Sequence, residues 1–342
     1  HAAVAEHLQA RGGEPARLAL HWEAAGHDQR AGAAWRAAAQ AALAGGRRED
    51  EVRLLARAAD CFTRAARHDD AFEADLARVI GSVTVEGAEA GLALADRLVA
   101  QARTLAQRAA ALTRRASVLQ WLVRAADAAE ACAEVLALAE QGDRSGAGDV
   151  PVALATRLFA VGIRASSLAS LGQAGAGAEL MAAWGERART CNDAEARLVF
   201  FGTYCTVLTY ANRRREAVSA GERHIALARA AGRRDELLSG LTNVSAAQVF
   251  LGRLDHAIAL AREAQQLADS LGQDRAAAAV NAANLGWYLV AAGSYGEGLG
   301  LIEDALAALR SLVATSALVA NVEWLLADAL IARGPPARAA PL

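Results

Sequence analysis

The chain has 342 residues, enough for about two ordinary domains, and its 36 basic and 38 acidic side chains leave a net charge of −2. That balance argues against the strongly basic face of a dedicated nucleic-acid binder. No lysine occurs, so every basic side chain is arginine, and a phosphate-binding P-loop, which needs a lysine after its glycines, is excluded.

The hydrophobic share of 54% is swollen by alanine, while aromatic residues make up only 5%. Alanine is the strongest helix former, and alternating runs of β-branched residues are nearly absent, so an all-α chain is expected. Cys61, Cys132, Cys191 and Cys205 lie in helical text without CxxC spacing and read as small buried hydrophobes of a reducing compartment. No signal peptide opens the chain, and the most apolar run, 198–211, is shorter than the roughly 20 residues a membrane helix needs. A cytoplasmic location follows as an expectation. The start at His1 and the single Met181 suggest a piece of a longer protein.

In chain order, residues 1–46 read as a junction segment and a first helical hairpin turning at Gly26, with small residues Ala19, Ala31 and Ala38 around it. Residues 47–140 remain helical but in poor register, Arg124 marking a degenerate turn between Ser117 and Ala129. The polar stretch 141–150, "QGDRSGAGDV", reads as a loop and a subdomain boundary. From 151 to 342 a regular array follows, with its last hairpin truncated.

The array is set by Gly172, Asn212, Gly252, Gly293 and Gly334, spaced 40, 40, 41 and 41 residues apart. Glycine and asparagine enter the left-handed conformation at low cost, which a helix end needs before reversing. Seven residues before each marker stand Ala165, Cys205, Ser245, Gly286 and Ala327, and five after it Gly177, Ala217, Ala257, Gly298 and Ala339, all small. One further on come the apolar Ala178, Val218, Ile258, Leu299 and Ala340. Small residues on facing sides would let two helices approach closely, with the apolar neighbour packing on the next hairpin.

These columns, with "LGWY" at 285–288 and "HAIALAREA" at 256–264, resemble the tetratricopeptide (TPR) family. The resemblance implies an all-α, right-handed superhelix of helix hairpins whose first helices line a concave groove. The repeat exceeds the family's usual 34 residues, so helices of about 17 to 19 residues, roughly 27 Å, are expected. The family's prolines and aromatic positions are weak here.

The stretch 18–42, "LALHWEAAGHDQRAGAAWRAAAQAA", resembles the text after the ATPase core of bacterial STAND regulators. These include the large ATP-binding LuxR-type, maltose-activator-like transcription factors. The resemblance rests on Leu18, Ala19, His21, Trp22, Ala25, Gly26 and Ala31. It implies a helical-repeat sensor attached to a nucleotide-binding module, with a DNA-binding domain or a nucleotide cyclase in some relatives. Neither the ATPase nor the DNA-binding part is present in these residues.

Searching for chemistry gives little. The histidines form no HExxH, Glu303 and Asp304 point apart on one helix, and no G-x-S-x-G elbow occurs, so no enzyme, cofactor or metal site is expected. "GQAGAGAEL" (172–180) has no strand before it and reads as a turn and a close-packed helix start. His21 reads as a core or capping residue, with a ligand role as the alternative. "NRRRE" (212–216) reads either as an anion contact or as a solvated turn.

Phase gives a better candidate. Asn243 and Asn284 lie 41 residues apart, each two before the small column, with Thr203 one unit earlier. In the TPR resemblance this position faces the groove, where an amide can hold a peptide backbone. Thr206, Trp287 and Asp328, with Tyr210 and Trp324, are expected on the same side. The alternative is that the two asparagines tie neighbouring helices together. Together these features imply a non-catalytic sensor or interaction region of a multidomain signalling ATPase or transcriptional regulator. Its ligand would be a protein, peptide or small effector held in the groove, without direct nucleic-acid or membrane contact. A free-standing TPR scaffold and the repeat region of a cyclase-fused ATPase are the alternatives.

Overall fold

The computed structural model describes residues 1–145, 151–271, 275–312 and 317–333; among them are seventeen α-helices and no strand. The chain divides into two compact units, His1–Leu171 and Gly172–Leu342. The first holds α1 (Ala2–Ala10), α2 (Pro15–Ala24), α3 (Asp28–Ala44), α4 (Arg48–Arg64) and α5 (His68–Val85). It continues with α6 (Ala88–Gln101), α7 (Leu105–Trp121), α8 (Ala125–Ser145) and α9 (Leu154–Ser170). The second holds α10 (Ala174–Thr190), α11 (Ala194–Tyr210), α12 (Arg214–Ala230) and α13 (Arg234–Phe250). After them come α14 (Leu254–Leu271), α15 (Arg275–Ala291), α16 (Tyr295–Leu312) and α17 (Ala317–Arg333).

The structural step is 20 residues: α3 to α6 begin at 28, 48, 68 and 88, and α9 to α14 at 154, 174, 194, 214, 234 and 254. A helix of 17 residues, about 25 Å long, plus a three-residue connection fills most of these steps, and α5 fills its own with 18 residues and two. Two steps make the 40-residue sequence repeat. The stride therefore already runs through α4 and α5, inside the segment whose sequence register is poor. What breaks it is α6, which has 14 residues, so that α7 starts three residues early.

Most tight reversals use one left-handed residue, while the α6–α7 and α10–α11 connections leave the helix through extended Ala102 and Cys191. Gly172, Asn212, Gly252 and Gly293 have φ of 79°, 60°, 73° and 91°, as their spacing requires, and Gly334 lies outside the described residues. Gly26, Gly46 and Gly232 do the same at 74°, 72° and 66°, as do Ala66 at 55° and Val123 at 58°. The turn expected at Arg124 is thus centred one residue earlier. The next amide reaches back five residues, Arg213 N to Leu208 O at 2.9 Å and Arg124 N to Leu119 O at 2.8 Å, and satisfies a helix-end carbonyl.

An arginine follows the left-handed residue again and again and pairs with an acid three residues on. Arg47–Asp50, Arg67–Asp70, Arg124–Asp127 and Arg213–Glu216 lie at 3.4, 2.8, 2.6 and 2.6 Å. The acid sits in the first turn of the next helix, where the helix dipole favours it. Residues 141–145, read as loop, are the last turn of α8, and 146–150 lie outside the described residues.

Within each unit consecutive helices pack antiparallel, and some odd helices also touch the next odd one: α5 with α7 and α7 with α9 in the first unit, and α11 with α13, α13 with α15 and α15 with α17 in the second. The small columns sit at the contacts. Ala165, Cys205, Ser245, Gly286, Gly177, Ala217, Ala257 and Gly298 are buried, Ala327 is half-buried, and Ala339 and Ala340 lie outside the described residues. In the α15–α16 hairpin a Cβ on Gly286 would stand 2.6 Å from the carbonyl oxygen of Gly298, and one on Gly298 2.5 Å from that of Gly286. Backbone faces backbone there, so no side chain can yield.

Gly286→Ala and Gly298→Ala should each lower stability by about 1–2 kcal/mol, overpacking outweighing the helix-propensity gain. Gly300→Ala, also on α16 but with open space at its Cβ, should raise stability by about 0.5–1 kcal/mol. Urea titration of the three variants checks the difference in sign. Val123 is 88% exposed and β-branched in a left-handed turn, so Val123→Gly should stabilise by about 1 kcal/mol. An unchanged or lowered melting temperature would count against strain at that turn.

Candidate functional site

The seam between odd helices of the second unit gathers much of the polar and aromatic chemistry of that unit. On α11 Thr203 and Thr206 are half-buried, while Tyr210, at the helix end, is 71% exposed. Thr206 donates its hydroxyl to Gly202 O at 3.2 Å and accepts from Asn243 Nδ2 of α13 at a long 3.5 Å. One residue earlier, the Thr242 hydroxyl of α13 lies 2.7 Å from Asn281 Oδ1 of α15 and 2.9 Å from Leu238 O, between which its one proton is shared. Asn284 stands half-buried on the same helix.

Trp287 links α15 to α17. Its indole N–H donates to Asp328 Oδ2 at 2.7 Å, and its ring lies 6.2 Å from Trp324, which is 58% exposed. On its other side Trp287 meets Phe250 of α13, again at 6.2 Å. Phe250, Trp287 and Trp324 therefore form an aromatic row across three odd helices. The structure brings Thr206 to Asn243, and Trp287 to Trp324 and Asp328; Thr203, Tyr210 and Asn284 stand on the same helices without joining either group. Sequence reasoning missed Phe250, which is 53% exposed. It lies two residues before Gly252, as Tyr210 does before Asn212, and that shared column was the available signal.

Two of the three arginines of "NRRRE" are engaged, and Arg215 is exposed. Arg213 holds Glu216 and also Glu179 of α10, and the Arg214 guanidinium stacks on the Phe250 ring at 3.9 Å from its centroid. A second unforeseen feature is His224 of α12, 2% exposed, with Nε2 at 3.0 Å from Glu236 of α13. Its ring fills the space left by Gly202 and Gly240, where added Cβ atoms would come within 2.9 and 3.3 Å.

The junction motif is the anchor of the first core. Trp22, 1% exposed, packs with Trp35 and Phe62 among alanines. Glu23 accepts from Trp35 Nε1 at 3.0 Å, Arg57 at 2.8 Å and Arg64 at 3.0 Å, while Arg57 also stacks on Trp35 at 4.0 Å. His21 approaches His1, ring nitrogen to ring nitrogen, at 3.0 Å. The four cysteines are buried and unpaired, and burial pushes the Cys61, Cys132 and Cys205 thiols up to about 11, 12 and 11. Among the described residues no three His, Cys, Asp or Glu side chains converge as metal ligands, and no helix is long and apolar enough to cross a membrane.

No protein-family model and no curated protein matches the sequence. Solved structures do share the fold. RapI in its apo form superposes with a TM-score of 0.61 at 11% identity, over 79% of this chain and 94% of that one. A Rap protein complexed with competence and sporulation factor gives 0.54 at 10%, over 96% and 98%. A signal-transduction ATPase with numerous domains carrying a tetratricopeptide-repeat sensor, from Pyrococcus horikoshii, gives 0.51 at 13%, over 85% of this chain but 45% of that one. The fold is therefore a TPR-like helix-hairpin solenoid.

Burial raises the Glu23 carboxyl, but the hydrogen bond from Trp35 and the charges of Arg57 and Arg64 outweigh it and hold the group below its ordinary 4.5. A depressed carboxylate stabilises the fold above its unfolded pKa, and that stability is lost as pH falls through the folded value. Trp35→Phe should move the Glu23 titration midpoint back towards 4.5 and make unfolding begin at higher pH. Carbon-detected NMR titration of Glu23 reads this directly, and a midpoint unmoved by the substitution would contradict the assignment.

Proposed function

We propose that this chain is the helical-repeat sensor or interaction region of a multidomain bacterial signalling ATPase or transcriptional regulator of the STAND type. It binds a protein, peptide or small effector along the odd-helix seam of its second unit, on the concave side of the array. The carrying observation is the aromatic row Phe250–Trp287–Trp324, whose Phe250 and Trp324 are 53% and 58% exposed, on the same helices as Asn243 and Asn284. Leaving large aromatic rings in water forgoes a burial gain on the order of 1–3 kcal/mol per ring, which a ligand would recover. The shared fold of a STAND protein's TPR sensor and the "LALHWEAAG" junction support the regulatory setting.

An effector switches such a region only through different affinities for two states of the parent protein. Asn243→Ala with Asn284→Ala should abolish the effector response while leaving the melting temperature nearly unchanged, because the Asn243–Thr206 bond is long and weak. An unaltered response would remove these residues from the site. The reading frame preceding His1 should encode a nucleotide-binding module, and a frame lacking one would overturn the regulator assignment in favour of a scaffold.

A further inference from the structure

The irregularity at α6 opens a site apart from the odd-helix seam of the second unit. Helices that stack side by side tend to be of similar length, and α6, with 14 residues, is shorter than its neighbours α5 and α7, which have 18 and 17, by about 4.5–6 Å. The connection 102–104 runs directly into α7 and leaves a cavity of about 390 Å³ between α5, the end of α4 and the α6–α7 connection. That volume lies near the lower end for small-molecule pockets, roughly 300–1,000 Å³.

Its floor is apolar: Ala71 and Phe72 are 9% and 7% exposed. Its rim is polar and fixed. Thr104 caps α7 by accepting from Gln107 N at 3.1 Å, and Gln107 Oε1 accepts from Arg103 N at 2.9 Å. Asp69 Oδ1 then accepts from both Arg103 Nη2 and Gln107 Nε2 at 2.9 Å. Arg103 is thereby aimed using one terminal nitrogen and keeps its remaining N–H groups for an anion. Opposite in charge, Asp75 is held by Arg78 Nε through Oδ1 at 2.8 Å and keeps its second oxygen. His68 and Gln101 line the cavity without a hydrogen-bond partner among the described residues.

We propose that this cavity binds a compact zwitterion of the free α-amino-acid class. The carboxylate pairs with Arg103, the ammonium with Asp75, and the side chain lies on Phe72. Arg103 and Asp75, already in ion pairs with Asp69 and Arg78 respectively, keep further hydrogen-bonding atoms of opposite kind, so a ligand that carries both an anion and a cation can engage both ends where a singly charged one engages one.

The test uses the whole chain and the twenty L-amino acids, each titrated by calorimetry and by thermal shift. At least one should bind saturably and raise the melting temperature. Its des-amino acid and its decarboxylated amine should bind at least tenfold more weakly. Arg103→Ala and Asp75→Asn, which alter only rim groups, should each weaken binding at least tenfold while circular dichroism stays unchanged. Asn243→Ala with Asn284→Ala should bind the amino acid normally, which separates this site from the effector seam. Absence of binding by any amino acid, equal binding of a singly charged analogue, or full binding by Arg103→Ala would overturn the proposal.

Discussion

The structure depends on reversing a helix within three residues. The last carbonyls of every helix lack partners, and the chain must turn back before water or another segment supplies them. A left-handed residue followed by an amide that reaches five residues back solves both problems, and the molecule repeats this at 26, 46, 66, 123, 212, 232, 252 and 293. Once the reversal is that tight, the two helices cannot diverge far, so their facing residues must be small. Gly286 and Gly298 show the limit, with each backbone sitting where the other's Cβ would be.

That chain of necessity explains what was legible. The turns at Gly26, Gly172, Asn212, Gly252 and Gly293 could be found from spacing and the column of small residues followed from them, whereas Gly46 and Gly232, which make the same reversal, were not among the markers. Ala66 and Val123 perform the same reversal with side chains that disfavour it, so residues 47–140 read as degenerate although the 20-residue stride persists through α4 and α5. Tertiary packing overrides the local preference there. A second periodic signal, arginine after the left-handed residue and an acid three further on, was present in the letters. It passed unnoticed because each pair alone looks like an ordinary surface charge. "NRRRE" is one instance, its Arg213 committed to Glu216 and Glu179.

The odd-helix seam was legible in phase but not in partnership. A fixed repeat predicts which positions share a face, so Thr203, Thr206, Asn243, Asn284, Trp287 and Asp328 could be chosen from their offsets to the markers. It does not predict which of them spend their hydrogen bonds on one another. Trp287 gives its N–H to Asp328, and Thr242, one residue from the chosen Asn243, makes the shorter interhelical bond to Asn281. What remains open on the seam is mostly aromatic surface. It offers stacking and apolar contact rather than a dense set of directional donors, which suits recognition of a ligand by shape.

Repetition also explains where individuality can reside. Inside a hairpin the residue size, the turn conformation and the helix length are all dictated by close packing, so substitutions there mainly alter stability. Two kinds of position escape that constraint: side chains on the open face of the odd helices, and places where the length rule is broken. The first supplies Tyr210, Phe250, Trp287 and Trp324. The second occurs at α6, where the shorter helix leaves a cavity floored by the buried Phe72 and lined by Arg103, Asp75 and His68. A defect of that size could have been closed by extending α6 one turn into solvent-facing alanine and arginine, residues in which this chain is rich. Instead the break is braced by the Thr104 cap of α7, by Gln107 Oε1 accepting from Arg103 N and by two hydrogen bonds onto Asp69, polar contacts that hold the opening at a fixed shape.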